Sequence, residues 1–413
     1  MKKKKKPTSC KLSVLAQICK LFPPHLAPKL ARKHRVDCKA RTFSPWSHVV
    51  ALIFSQITHA IGLNDVCDGL RHHLGRLWSV RGAVAPSKNA LSYANKHRDA
   101  AMAEDLFWSM MQHLRGLDQS WISKKLPKGW RHFRRSIHIV DTTTIRLVAN
   151  CLDWAKHRRR KAAAKCHLRL NLQSFLPNVV IVDTAGNSDN KRARELCSDL
   201  KDGEVVIFDM AYIDYEHFYD LDQRGVSWVT RAKENMSYKV VNRRLDQPAG
   251  RIISDDEVVF DKPLANKAYP NRLRRVEAWI EVDGKYRSMI FITNNLKWSA
   301  QSVCQLYKSR WKIEVFFKQI KQTLQLCDFI GHSANAVRWQ VWVALLVYVL
   351  MRFLAHQSRW NHSFTRLFTL IRGVIWDKYE LYALLERYGT AQSQYRMLAA
   401  PQQAYLPGFE RIP

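Results

Sequence analysis

The chain has 413 residues, 47% of them hydrophobic, and a formal net charge of +32. At roughly 100–200 residues per domain this implies two or three units with a sizeable core. Lys plus Arg number 67 against 35 Asp plus Glu, a strongly basic balance. It favours a polyanion, because each neutralised phosphate releases condensed counterions. Nucleic acid fits best, with an anionic membrane or a ribosomal site as competing readings. The nine cysteines are scattered, with no two at metal-ligand spacing, which argues against structural zinc and fits reduced thiols. Lys2 to Lys6 resemble a signal n-region, but Lys20, Pro23 and Pro24 interrupt the stretch after it, leaving no apolar h-region. The run Val341 to Met351 is shorter than a bilayer span and reads as a buried helix.

Residues 1 to about 120 read as helical. Ser44-Pro45-Trp46 starts a helix, and Val49, Leu52, Ile53 and Ile57 come after it at helical spacing. The stretches 63–78 and 89–117 repeat the pattern. Between them, Gly82 to Pro86 is a break. The segment from Ser87 to Arg98 is polar and basic on one side. It reads equally as a recognition helix for a DNA groove or as an ordinary solvated helix.

From about 130 the period changes. Strands are expected at 136–140, ending in Asp141, at 168–172, at 178–182, and at 204–208, ending in Asp209. A helical stretch at 212–223 precedes a strand at 226–230. This mixture predicts an α/β sheet with helices on its faces. Residues 236–296 read as β-rich, with strands near 238–241, 257–260, 276–282 and 288–293 and turns at Pro248-Ala249-Gly250 and Asp283-Gly284. Ser299 caps a long helix expected to reach about Leu326, and helices continue to about Tyr388.

Chemistry concentrates on that long helix. At about 100° per residue, Tyr307, Arg310, Glu314 and Lys321 fall on one stripe. Ile313, Phe316, Ile320 and Leu324 form an apolar face beside it. Taken alone, the stripe also reads as a solvated face with an incidental Arg310–Glu314 pair. Two further carboxylates bear on it. Asp141 and Asp209 each come directly after an apolar strand, where sites gather in open α/β sheets, although each alone could be a turn former. Three convergent carboxylates suit Mg²⁺ or Mn²⁺. Two such ions about 4 Å apart clamp both oxygens of an in-line phosphoryl displacement.

Asp141-Thr142-Thr143, Asp209-Met210-Ala211-Tyr212 and the Tyr307/Arg310/Glu314/Lys321 helix resemble the motifs of DDE transposases of the bacterial insertion-sequence-four family. The resemblance runs from about 130 to 355. Asp-Met-Ala-Tyr matches the family's loose pattern rather than its commonest glycine form. The resemblance implies an α/β fold with a ribonuclease H-like catalytic core, an inserted β-rich domain, and flanking helical N- and C-terminal regions. The expected boundaries are 1–125 for a DNA-binding region, 130–235 with 297–355 for the core, 236–296 for the insertion, and 356–413 for the C-terminal region. Asp141, Asp209 and Glu314 would bind two Mg²⁺ or Mn²⁺ ions. Tyr307, Arg310 and Lys321, with Lys318 on the same helix, would grip DNA phosphates. A tryptophan of the insertion would stack on a flipped base, with Trp228, Trp279 and Trp298 as candidates. The implied reaction cuts an element's ends and joins the 3′-OH to target DNA, in a homodimer in the bacterial cytoplasm, on the nucleoid. A nuclease without strand transfer, or an inactive DNA-binding descendant, would keep the same motifs.

Other basic groups fit DNA tracking: Arg158, Arg159 and Arg160, Arg231 and Lys233, Arg131, Arg134 and Arg135, and Arg243, Arg244, Arg272, Arg274 and Arg275. His138 and His167 read as structural. Lys2 to Lys6 read as a disordered arm.

Overall fold

A computed structural model describes residues 8–38, 40–122, 135–147, 151, 156–158, 161–184, 189–245, 250–282, 284–324 and 329–389. Two compact units are present. The first lies within Met1–Ile122, Ile145–Ala164 and Phe317–Gln403, and the second within Ser123–Thr144 and Lys165–Phe316.

The first unit is mainly helical. Its centre is the 24-residue helix Ala334–Gln357, which starts where Ser333 accepts from the Ala336 amide. Around it pack the helices Pro45–Thr58, Lys88–His97 and Ala101–Leu117. The first of these begins as its sequence predicts, with Ser44 capping the Ser47 amide and Pro45 in the first turn. The stretches at 63–78 and 89–117 are each broken in two, giving Leu63–Arg71, Leu74–Trp78, Lys88–His97 and Ala101–Leu117. The Ala334–Gln357 helix is longer than its apolar run alone suggested, and by length and composition it could cross a membrane. However, 89% of its most apolar stretch is buried inside the protein, as in a core helix. Asn335 donates to the carbonyls of Asn95 and Arg98 at 2.9 and 2.6 Å, and Trp339 Nε1 donates to Arg98 at 2.7 Å. These bonds satisfy carbonyls at the end of the Lys88–His97 helix.

The strands are β1 (Ile137–Leu147), β2 (Lys156–Arg158), β3 (Lys161–Asn171), β4 (Leu176–Thr184), β5 (Val205–Phe208), β6 (Ser227–Arg231), β7 (Tyr238–Arg243), β8 (Ile252–Phe260), β9 (Leu273–Val282) and β10 (Lys285–Thr293). In the second unit the order across the sheet is β3–β1–β5–β6–β10–β9–β8–β7, with β4 on β3. The fold is thus mixed α/β. Strands β1, β5 and β6 are parallel, with Val140 opposite Phe208 and Ile207 opposite Val229. From β6 outward the pairing is antiparallel. The strands read as β-rich therefore continue one sheet, with the short helix Pro263–Ala268 between β8 and β9.

β5 is buried at all four positions, as expected of a parallel strand covered on both faces. Around it Val140, Phe208, Phe218, Trp228 and Tyr269 form a core, with the Phe218 and Trp228 rings 4.2 Å apart. Each such side chain gains about 1.5–3 kcal/mol from burial.

Two expectations change. β1 does not end at Asp141 but runs through it to Leu147. The β-branched run Thr142-Thr143-Thr144-Ile145 suits extended backbone and carries the strand onward. The long helix after Ser299 is not continuous either. It divides into Ala300–Lys308, Trp311–Lys318 and a π-turn, Gln319–Thr323. At the first break the amides of Arg310, Lys312 and Ile313 bond three residues back, to Tyr307, Ser309 and Arg310. At the second, Leu324 bonds five residues back, to Gln319. A tightened turn and then a widened one displace side chains from an ideal wheel.

Candidate active site

Arg310 joins two segments of the second unit, and Asp209, on a third, acts on it electrostatically. Asp141 comes from the middle of β1, and Asp209 stands immediately after β5. Adjacent parallel pairing of β1 with β5 brings these two acids to neighbouring strands. Arg310 and Glu314 come from the broken helix. The Arg310 guanidinium donates through Nη1 to Asp141 Oδ2 at 3.1 Å and through Nη2 to Glu314 Oε1 at 3.2 Å. One planar cation thus bridges carboxylates 169 and 4 residues away in sequence. Arg310 Nε is buried without a hydrogen-bond partner.

Asp141 is positioned further by the Thr142 amide, which donates to its Oδ1 at 2.8 Å. Sequence reading missed this contact, although a β-branched residue after a strand Asp hinted at a continuing strand. Burial pushes the Asp141 carboxyl up to about 6, against Arg310 and the Thr142 amide, with repulsion from Asp209 and Glu314 adding to the rise. That repulsion brings Asp209 into the same electrostatic site. Burial works to lower the Arg310 value, yet Tyr307, Asp141, Asp209 and Glu314 hold it above its ordinary range. Tyr307 is 7% exposed, and its ring lies 4.9 Å from Phe291 of β10 and 5.9 Å from the Arg310 guanidinium. Burial raises its hydroxyl to about 12, so it stays a donor at neutral pH. Arg231, at the end of β6, also acts electrostatically on Tyr307.

The structure therefore brings together Asp141, Asp209, Glu314, Tyr307, Arg310 and Arg231. Lys233 is half-buried in the turn after β6. Lys318 is exposed at the end of the Trp311–Lys318 helix and Lys321 half-buried in the π-turn, both within the first unit. Arg158 lies in β2, while Arg159, Arg160, Arg131, Arg134 and Lys2 to Lys6 fall outside the described residues. Two of the arginines expected to track DNA are engaged inside the sheet. Arg274 is 1% exposed and grips Asp255 at 2.7 and 2.6 Å. Arg275 bonds the Tyr238 hydroxyl, Ser254, Asp256 and Glu277. Of the three tryptophans, Trp228 is buried in the core, Trp298 is half-buried, and Trp279 is 45% exposed on β9.

Asp141, Asp209 and Glu314 offer a donor set of hard carboxylate oxygens, with Asp141 raised by burial and then by repulsion from the other two. The set's chemistry suits a divalent cation with oxygen preference. Among the described residues no three acidic, His or Cys side chains are grouped so as to hold a metal ion. Arg310 lies between Asp141 and Glu314 instead.

A family model described as "Transposase DDE domain" matches residues 132–350. A second, described as a "Domain of unknown function (DUF4372)", matches residues 11–80. The putative transposase y4zB of Sinorhizobium fredii is 28% identical over 323 residues, covering 78% of this chain and 86% of that one. The probable transposase for insertion sequence element IS5377 of Geobacillus stearothermophilus is 27% identical over 260 residues, 62% of this chain and 66% of that one. Transposase InsG for insertion sequence element IS4 of Escherichia coli is 25% identical over 195 residues, 45% of this chain and 42% of that one.

Proposed function

The chain belongs to the DDE transposases of the insertion-sequence-four family, and from that premise we propose that Asp141, Asp209 and Glu314 are its catalytic carboxylates. The supporting observation is at Arg310, with Asp141 and Glu314 directly bridged and Asp209 acting on both Asp141 and Arg310. The substrate is duplex DNA at an element's terminal inverted repeats, and then target DNA.

Asp141, Asp209 and Glu314 would hold two divalent ions, Mg²⁺ or Mn²⁺. When bound, these supply an activated water or 3′-OH and stabilise charge at the scissile phosphate. Arg310 keeps its charge and presents a planar fork that suits two phosphate oxygens. Tyr307 keeps its proton and donates to the same phosphate, while Arg231 adds positive potential beside it. The protein needs no covalent intermediate, because water and then the freed 3′-OH are the nucleophiles. Lys318, Lys321 and Lys233, with Arg158, Arg159 and Arg160, would hold flanking DNA. Trp279 is the exposed candidate for stacking on a flipped base. In this reading the core of 130–235 with 297–355 is ribonuclease H-like, 236–296 is its β-rich insertion, and 1–125 and 356–413 are the flanking helical regions. The enzyme would act as a homodimer on the bacterial nucleoid, since two ends must be held together.

The test uses purified protein and a plasmid carrying the gene with its native flanks. In Mg²⁺, cuts at the gene's borders should leave 3′-OH ends that reappear covalently joined to a second DNA. Border cuts without any joined product would make the protein a nuclease and overturn the strand-transfer half of the reading.

A further inference from the structure

Outside the carboxylate site, the first unit carries an open cleft of about 710 Å³ between the 35–43 loop and the Lys88–His97 helix. We propose that this cleft binds an unpaired stretch of DNA strand, with phosphates on Arg35 and Arg41 and a base on the Tyr93–His97 pair. The inference rests on the reading of the chain as a transposase acting on DNA.

The charge pattern is the first observation. Arg35, Arg41 and Arg98 line the cleft with His97 and Asn89, and no carboxylate is among the described lining residues. Asp37 belongs to the same loop but does not line it. Arg169, Arg192, Arg194, Arg274 and Arg275, by contrast, have acidic partners. Arg35 and Arg41 are exposed and make no ion pair or side-chain hydrogen bond with any described residue. Two unneutralised guanidiniums on one concavity form an anion site, because each offers a fork matched to phosphate oxygens. Arg35 also holds a left-handed backbone, φ 53°. It is the left-handed residue that ends the Leu26–Lys33 helix, with the Val36 amide bonded to the Ala31 carbonyl and the Arg35 amide to that of Arg32.

The helix supplies the second observation. Leu91, Ala94 and Asn95 face inward, which leaves Asn89, Tyr93 and His97 as an exposed stripe at four-residue spacing. Tyr93 is 53% exposed, and its ring lies 4.4 Å from His97 at 36°. Exposed aromatic faces beside basic groups are how proteins hold unpaired strands. The wall is firmly built. Arg98 donates to the Ser44 carbonyl at 3.1 Å and to that of Phe43, and its guanidinium lies 5.2 Å from the Phe43 ring. The cleft's volume is in the range of pockets for small ligands, room for a nucleotide or two.

The experiment measures binding of a short, labelled, mixed-sequence single strand to the full chain across a salt series. The double variant Arg35→Ala/Arg41→Ala should flatten the slope of log affinity against log salt by about 1.4, two phosphates at about 0.7 each. Tyr93→Ala should weaken binding by roughly five- to a hundred-fold without changing the slope, and Tyr93→Phe should restore it. A wild-type slope in the double variant, or wild-type affinity in Tyr93→Ala, overturns the proposal, as does loss of duplex binding alone. Circular-dichroism melts of each variant separate misfolding from lost contacts. Arg194→Ala, at an arginine paired with Asp214 and Glu216 outside the cleft, run in parallel, should bind the strand normally. If wild-type protein fails to cut DNA in Mg²⁺, the catalytic reading falls while the slopes still decide the cleft.

Discussion

Asp141 is a half-buried carboxylate that feels two more acids, Asp209 and Glu314, and this environment sets its proton balance. Its value of about 6 lies above the ordinary carboxylate range of about 4. The folded chain therefore holds this proton more tightly than the unfolded one. Its contribution to stability is present at low pH and is lost as pH rises through about 6. The swing is about 2–3 kcal/mol. Denaturant unfolding in chelator, at low and neutral pH, should show a pH-dependent loss in wild type that Asp141→Asn lacks. Equal pH slopes in the two proteins would contradict the assignment. Arg310 makes a second prediction. Arg310→Lys keeps a charge but cannot bridge Asp141 and Glu314 with one planar group. Losing one charge-assisted hydrogen bond of about 1.5–3 kcal/mol should slow DNA cleavage roughly ten- to a hundred-fold. Single-turnover cleavage at saturating enzyme reads this directly. At this scale the sequence was informative about Tyr307, Arg310 and Glu314, because helical spacing is local. That Arg310 would also reach Asp141, 169 residues away, was not legible, and neither was the β1–β5 pairing that sets Asp141 and Asp209 on neighbouring strands, Ile137 with Val205 to Val140 with Phe208.

Among the elements, the apolar runs announced most strands correctly, β5 and β6 especially, because a doubly covered parallel strand is apolar throughout. Pairing was less visible. Nothing local in β7 to β10 says that they extend the sheet of β5 and β6, since register depends on partners far along the chain. The same limit explains the basic run Arg274-Arg275. Successive strand residues point to opposite faces, and which face is covered depends on what packs there. The Ala300–Lys308 helix packs against β8 and β9, and Arg274 is buried with Asp255. This pair carries a structural prediction. Arg274→Ala leaves Asp255 buried and unpaired and should cost about 3–5 kcal/mol of unfolding free energy. Arg274→Met with Asp255→Asn should recover most of it, because no net buried charge remains. A loss below about 1 kcal/mol in the single variant would instead mark the pair as a solvated one. The helix breaks were also illegible. Neither Ser309-Arg310 nor Gln319–Thr323 contains Gly or Pro, the residues that usually announce a break.

For the whole molecule, the +32 charge forecast a nucleic-acid partner before any motif was read. The structure divides that charge by use. Arg169, Arg274 and Arg275 are engaged in internal ion pairs, whereas Arg310 and Arg231 lie at the carboxylates and Arg35 and Arg41 line a cleft. Duplex affinity should therefore fall steeply with salt, by about 0.9 log units per log unit for each phosphate contacted. A charge-neutralising change at the carboxylates should leave that slope intact. Cleavage of the native-flank plasmid by Glu314→Gln in Mg²⁺ tests the central claim most directly. Wild-type binding with no cutting at the gene's borders is the result expected of a catalytic Glu314. Cutting at the wild-type rate would show that the reaction does not need the Glu314 carboxylate.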